Sequence, residues 1–501
     1  MNLSDLSTQY HHRSEFLARR TFGNWIDGRI CEPRSGRYLS VVDPATEKTI
    51  AQAAASDARD VDAAVAAARR AFDSGDWPRM RPADREKLLY QFAELIERHA
   101  DELAAIETLE TGKLVGIARA IDVQGGAEFV RYMAGWATKI EGSTLDTSIA
   151  VPAGTEYFAY TRREALGVVG AIVPWNFPLA IALWKVATAL ACGCTVVLKP
   201  SEETPLTALY AAELAQQAGL PAGVLNVVTG TGAEAGAALV AHPGIDKITF
   251  TGSVGAGKTI GHAALDRLAR FTLELGGKSP LIVLDDADPD AAARGAAQGI
   301  FFNQGQVCTA GSRVYVQKRL YERVVSGIAA AAESMKIGSG FDPDVQIGAL
   351  VSKPHFERVL AHVDAAREEG ATLVTGGTRA LDSGYFVKPT VFVNATPSMR
   401  IVREEVFGPV VTVAPFDTVD EALRLANDTD FGLAASVWSQ NLSLVHRIVP
   451  RLKAGIVWVN AHNMLDSNLP FGGFKQSGYG RELGRAALEQ FTELKSVCIA
   501  H

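Results

Sequence analysis

Between residues 166 and 268, short apolar runs alternate with stretches of helical spacing, and this alternation constrains the fold more than any other feature of the chain. Strands are predicted over Val168–Val173, Thr195–Lys199, Val224–Val228 and Lys247–Phe250, with helices at about 179–191, 205–218, 232–241 and 256–268. Thr204 and Pro205 give one of these helices a start signal, and Gly219 gives it a stop. Strands separated by helices pair in parallel, so the run predicts a doubly wound α/β sheet with its ligand at the strand carboxyl ends. A second alternation runs from about 281 to 460, including Arg313–Val316 and Gly455–Asn460, and predicts a second α/β domain. Upstream, Asp57 opens a helix over 57–73 with Val61, Val65, Ala68 and Phe72 on one face. A further helix follows Pro82, its stripe formed by Leu88, Phe92, Leu95, Ile96 and Leu103. At roughly 150 residues per domain, the 501 residues amount to about three units, with no internal repeat or low-complexity linker.

Composition narrows the function. The chain is 48% hydrophobic and 21% charged with 46 Gly and 21 Pro, which suits a globular enzyme and excludes collagen, coiled coil and disorder. Lys and Arg number 49 against 56 acidic residues, a net charge of −7 without a long basic run, so no nucleic-acid partner is expected. Cys31, Cys192, Cys194, Cys308 and Cys498 form an odd, sparse set, which argues for reduced thiols and a cytoplasmic location. Cys192 and Cys194 lack a second cysteine pair and read as core packing, and no metal site is expected. The opening run MNLSDLSTQYHHRSEFLARR holds no apolar core of signal-peptide length. Residues 165–184 are uncharged and long enough to cross a bilayer, but Pro174, Asn176 and Pro178 break them into strand, turn and buried helix, so no membrane span is expected.

GSVGAGKT at 252–259 satisfies the phosphate-loop pattern, and LIVLDD at 281–286 resembles the acidic strand that holds magnesium in ATPases. On these alone an ATPase using Lys258 and Asp285 is a competing reading. The loop, however, would follow the fourth strand of the series, and a glycine-rich turn at a helix start binds any pyrophosphate, including that of a dinucleotide.

More pointed chemistry lies elsewhere. Cys308, in FFNQGQVC at 301–308, reads as a residue on a loop entering a helix, where a thiolate is stabilised; its bland alternative is a small buried hydrophobe. Glu274 ends an apolar run before Gly276 and Gly277, either as an ion-pair partner or as a carboxylate of raised pKa. PWNFP at 174–178 follows a buried strand, and its Asn176 amide either caps the turn or donates to an oxyanion. Lys199 and Glu202 follow the next strand, as a solvated turn or as a clamp on ribose hydroxyls.

Taken together, PWNFP, KPSE at 199–202, FTGS at 250–253, LELGGK at 273–278, FFNQGQVC, EEVFGPV at 404–410 and PFGGFKQSGYGRELG at 470–484 resemble the aldehyde dehydrogenase superfamily, in its order and spacing, from about residue 22 to the end. The run NMLDSNLPFGG at 463–473 is most similar to phenylacetaldehyde dehydrogenases. The resemblance implies Cys308 as nucleophile, Glu274 as general base, and Asn176 with the Cys308 backbone N–H as oxyanion donors. It implies cofactor contacts from Trp175, Lys199, Glu202, Gly252, Ser253, Glu405 and Phe407. NAD is expected rather than NADP, because the Glu202 carboxylate repels a 2′-phosphate, although some family members use both. Phe177, Ala180, Ile181, Trp184, Phe302, Leu465 and Phe471 would line a tunnel suited to an apolar aldehyde with a ring or medium chain. The phosphate-loop match then becomes incidental, with Lys258 on the surface.

The implied architecture is a Rossmann-like dinucleotide-binding domain (21–146 and 166–276), an α/β catalytic domain (277–486) and a β-strand oligomerisation extension (147–165 and 487–501), after an N-terminal extension over 1–20. The extension is expected to use the alternating strand Tyr157–Arg162 and the C-terminal strand Lys495–Ile499, the alternating strand being an open edge that a second subunit covers, giving a homodimer or tetramer. A catalytically silent binding protein is the third reading, and the intact Cys308, Glu274 and Asn176 set argues against it.

Overall fold

The computed structural model describes residues 14–501, so the first thirteen residues of the expected N-terminal extension lie outside the described residues. The remainder of that extension is docked: Leu17 is fully buried, and Ser14 Oγ donates to Glu102 Oε1 at 2.7 Å.

The predicted βαβ series forms one sheet. Strands Val168–Ile172, Thr195–Lys199, Leu225–Val227, Lys247–Thr251 and Arg270–Glu274 all pair in parallel. Their spatial order places Val168–Ile172 between Thr195–Lys199 and Lys247–Thr251, so the chain reverses its direction of winding at that point. Alternate side chains serve two cores. Val169 and Ala171 join Leu183 and Leu190 of helix Pro178–Ala191, while Val168 and Ile172 join Val61 of helix Ala58–Asp73 and Leu239. A sheet apolar on both faces needs this double cover. Antiparallel strands close both edges: Asn24–Ile26 with Arg29–Cys31 at one, Gly478–Tyr479 at the other.

The second alternation forms a seven-stranded sheet, parallel except for its edge strand Thr372–Thr375. Its strand Pro280–Val283 follows directly on the first sheet's Arg270–Glu274 through a short turn containing Gly276 and Gly277. Phe177 packs against the main cores of both sheets.

Two expectations are corrected, and the competing phosphate-loop reading finds no support. Leu103 belongs to a separate helix, Ala100–Thr111, because the helix from Pro82 ends at Arg98. Strand Tyr157–Ala165 is not an edge: Thr492–Ala500 pairs along its full length and Thr144–Leu145 on its other side, so the open edge is the C-terminal strand. The phosphate-loop pattern is no loop, since Val254–Asp266 is helical and Ser253 caps it by accepting from the Ala256 N–H. Lys258 is an exposed helix residue whose Nζ donates to Gln476 Oε1 at 2.8 Å, and Asp285 follows a strand of the other sheet.

All five cysteines are free thiols, with Cys192 and Cys194 buried in the first core. Among the described residues no helix is long and apolar enough to cross a membrane, and no group of three or more His, Cys, Asp or Glu is arranged to hold a metal.

Candidate active site

The reversal of winding dictates where the site lies. Where neighbouring strands send their chains to opposite sides, a crevice opens at their carboxyl ends. Here it opens between Pro174–Asn176, leaving one strand, and Gly252–Ser253, leaving its neighbour. Trp175, Asn176, Gly252, Ser253, Glu405 and Phe407 line this cleft. Lys199 stands one strand away in register with Ile172, and its Nζ donates to Glu202 Oε2 at 3.0 Å. Lys199 is 2% exposed, so the solvated-turn reading fails for the lysine, while the Glu202 side chain is 39% exposed.

The second sheet contributes Cys308. Helix Pro289–Phe301 is stopped by a tight turn in which Asn303, Gln304 and Gly305 adopt positive φ of 47°, 57° and 72°. Such backbone is costly for Asn and Gln and persists only where neighbours hold it. Asn303 Nδ2 donates to the Asn176 carbonyl at 3.2 Å, and Gln304 Nε2 to the Ala349 carbonyl at 3.0 Å. Gly305 brings its Cα against the Gly408 carbonyl, where a Cβ would collide. Cys308 therefore sits on a turn between a helix end and strand Arg313–Gln317. The expectation of a helix N-terminus is overturned, and with it a stabilised thiolate. Burial pushes the thiol up to about 12, aided by Glu405 and Glu274, while the N–H groups of Thr309 and Cys308 pull the other way.

Glu274 ends its strand 3% exposed, and both carboxylate oxygens lack a hydrogen-bond partner among the described residues. Desolvation, with repulsion from Glu482, holds it well above the usual carboxylate range. Glu482 accepts from Lys185 Nζ. Glu405 Oε1 accepts from the Gly277 N–H at 2.9 Å, and burial raises that carboxyl to about 7. Gly276 leaves room beside it, since a Cβ there would displace the Glu405 carboxylate. Phe407 has φ of 60° and is pinned by His355, whose Nε2 lies 2.8 Å from the Phe407 carbonyl; the Trp175 ring meets Phe407 edge-on with centroids 5.3 Å apart.

A second cavity, of about 340 Å³, reaches the same point. Phe177, Ala180, Ile181, Trp184, Phe302, Leu465 and Phe471, the seven residues expected around a tunnel, all line it. Among the described residues its lining contains no Lys or Arg. Cys308 and Glu274 line both the cleft and the tunnel, so the two spaces meet at the thiol and the unpartnered carboxylate.

Sequence reasoning missed Ile121, Met464 and His462 in the tunnel wall and Arg358 in the cleft. His462 and Met464 had a usable signal, lying just beyond the carboxyl end of the strand predicted over Gly455–Asn460. Ile121 had none, since its turn, Ala118–Gln124, is a π-helix without regular periodicity in the sequence.

Fold and site define a class of enzyme in which a thiol, Cys308, lies between a dinucleotide-type crevice and an apolar tunnel. The chain matches the aldehyde dehydrogenase family over residues 30–497, and it belongs to that family as an aldehyde dehydrogenase. It is similar to phenylacetaldehyde dehydrogenase of Pseudomonas fluorescens, 52% identical over 478 residues, 95% of each protein. Among solved structures it is similar to an NAD+ complex of aldehyde dehydrogenase from Bacillus cereus, with a TM-score of 0.93 and 49% identity over 97% of each chain. It is also similar to an indole-3-acetaldehyde dehydrogenase of P. syringae in complex with NAD+ and IAA, with a TM-score of 0.95 and 42% identity over 100% of each chain.

Proposed function

We propose that this protein oxidises apolar aldehydes bearing a ring or a medium chain, phenylacetaldehyde among them, to the carboxylic acids with NAD. The observation that carries the reading is the meeting of two spaces at Cys308 and Glu274. One has the position and glycine-lined walls of a dinucleotide crevice, and the other is apolar without a cation to attract an anionic substrate. The buried Glu274 carboxylate, without a hydrogen-bond partner among the described residues, supports a functional role for that group.

In this reading the Cys308 thiolate adds to the aldehyde carbon, and the oxyanion of the thiohemiacetal accepts from the Asn176 amide and the Cys308 N–H. NAD, when bound, supplies the hydride acceptor that turns this adduct into a thioester. Glu274 takes a proton from the water that hydrolyses the thioester, a role suited to a carboxylate whose pKa is raised by burial. Trp175, Ser253, Glu405 and Phe407 hold the cofactor, with Lys199 and Glu202 at its adenosine ribose. The Lys199–Glu202 pair orients a carboxylate that favours NAD over NADP.

The protein works as a homodimer or a dimer of dimers, its subunits joined through the extension. Strand Thr492–Ala500 offers nine residues of open edge, with Leu494 and Ile499 exposed, and such an edge is normally covered. Free thiols suit a cytoplasmic location.

The decisive experiment is Cys308→Ser, assayed for NADH formation from phenylacetaldehyde and for NAD binding. Oxidation should vanish while NAD binding stays near wild type, since serine removes only the nucleophile. Residual oxidation above a few per cent with intact binding would overturn the assignment.

A further inference from the structure

Two adjacent residues grip the neighbour of Cys308 from both of its polar sides. His462 Nε2 lies 2.8 Å from the Thr309 carbonyl oxygen, and its Nδ1 lies 3.0 Å from Ser436 Oγ. A carbonyl can only accept, so Nε2 carries the hydrogen and Nδ1 accepts from the serine hydroxyl. Asn463 Oδ1 accepts from Thr309 Oγ1 at 2.7 Å, and its Nδ2 donates to the Gly299 carbonyl at 3.3 Å. Thr309 is thus fixed by its backbone and by its side chain to one loop. That loop is itself rigid. The His462 ring is buried 4.9 Å from the Trp458 ring and abuts Gly299, where an added Cβ would stand 3.0 Å from its Cδ2. Trp458 Nε1 donates to the Met464 carbonyl at 2.7 Å, and Met464 and Leu465 line the tunnel, half-exposed. Burial lowers His462 to about 4, so the neutral ring with its single donor persists at neutral pH.

We propose that His462 and Asn463 are positioning residues that clamp Thr309, fix the Cys308 turn against the tunnel wall, and so determine which aldehydes present their carbonyl carbon to the thiol. The proposal rests on Cys308 as the nucleophile. Attack requires approach to within about 3 Å, and a misplacement of about 1 Å costs on the order of 10²-fold in rate. A two-carbon aldehyde can follow a displaced thiol. A ring held by Phe177, Trp184 and Phe471 cannot. Loosening the clamp therefore lowers kcat for ring aldehydes far more than for small ones.

The test compares His462→Gln, His462→Asn, His462→Leu and Ser436→Ala, each with phenylacetaldehyde and acetaldehyde. A glutamine amide reaches the place of Nε2 and keeps the bond to Thr309, an asparagine amide reaches only the place of Nδ1, and leucine has neither. His462→Asn and His462→Leu should lose at least about tenfold in kcat for phenylacetaldehyde and less than about threefold for acetaldehyde, and His462→Gln should restore the ratio. Ser436→Ala should lower Tm and leave the ratio unchanged. Alkylation of Cys308 by iodoacetamide, followed by peptide mass, gives a readout that needs no oxidation. Its rate should change in the Asn and Leu variants and not in Gln. Equal losses for both aldehydes, an Asn variant as selective as Gln, or a Ser436→Ala variant that loses the selectivity would each overturn the clamp. If the wild type oxidises neither aldehyde yet alkylation follows the expected order, the clamp stands and the proposed function falls.

Discussion

The Asn176 side-chain amide donates to the Gln306 carbonyl oxygen at 2.9 Å, joining the turn that leaves the first sheet to the segment that carries Cys308. An amide nitrogen has two hydrogens, so this bond orients the group and leaves one N–H to point elsewhere. With Asn303 reaching back to the Asn176 carbonyl, the two sheets are pinned to each other at positions two and five residues before Cys308. An oxyanion donor acts through such preorganisation, since it is held before charge develops.

Asn176→Ala should therefore lower kcat for aldehyde oxidation by about 10²–10³-fold with little change in NAD binding. Asn176→Asp should be at least as impaired, because a carboxylate at that place repels the oxyanion it ought to stabilise. Steady-state NADH formation and NAD titration measure both. A loss below about tenfold in both variants would remove Asn176 from the oxyanion site.

Lys258→Ala should leave oxidation within about threefold of wild type, as surface changes in a helix rarely matter. The bond from Lys258 to Gln476 lies on the exterior, and the acidic turn at Asp285 belongs to the other sheet. Phosphate release from ATP, assayed beside NADH formation, should be absent in both proteins; turnover that disappears with Lys258 would restore the ATPase reading.

The parallel sheets were legible because each strand is a short run buried on both faces, and the residues that end such strands are where sites form. Val168, Thr195 and Lys247 begin their strands where the apolar runs begin. The tunnel wall was legible only through family resemblance, since Phe177, Phe302 and Phe471 come from three distant segments that no local pattern connects. The turn before Cys308 was misread for a physical reason. Asn303, Gln304 and Gly305 look like a helix start, but their left-handed backbone ends the preceding helix, and side-chain bonds to distant carbonyls decide that outcome. Glu482 was silent for a similar reason, since it takes its meaning from a partner far along the chain, Lys185.

Glu110 supplies a pH-dependence of stability. It is buried on helix Ala100–Thr111 and accepts from the Leu206 N–H at 2.7 Å. Burial raises its pKa from the ordinary 4.5 to about 8. Between those values the folded state holds a proton that the unfolded state releases, so this group makes stability fall as pH rises, by up to about 1.4 kcal/mol per pH unit. Glu110→Gln keeps an acceptor oxygen for Leu206 and cannot titrate. Its Tm relative to wild type should climb steadily from pH 5 to pH 8 in thermal melts; a constant difference would show that Glu110 titrates normally.

Glu274→Gln should separate the two halves of the reaction. Glutamine keeps the size of the side chain but cannot take a proton from water, and general-base help is worth roughly 10²–10⁴-fold. The thioester on Cys308 should then outlive hydride transfer, giving an NADH burst followed by slow turnover, with the acyl adduct visible by intact mass. The burst itself carries more information. With the thiol pushed up to about 12, little of it ionises unaided near neutral pH, so the proposed mechanism calls for a neighbouring base to form the nucleophile. In the proposed mechanism Glu274 is that base: Glu405, the other raised carboxylate of the site, lines the cleft and not the tunnel, whereas Glu274 lines both with the thiol. Without it the thiolate fraction is set by pH alone, and below the thiol pKa that fraction grows about tenfold per unit. The burst rate of Glu274→Gln should accordingly rise about tenfold per pH unit from pH 7 to pH 10 without levelling, while the wild-type burst levels off once Glu274 is ionised. A pH-independent burst in the variant would mean that another group deprotonates Cys308, and the absence of any acyl mass would mean that another group activates the water.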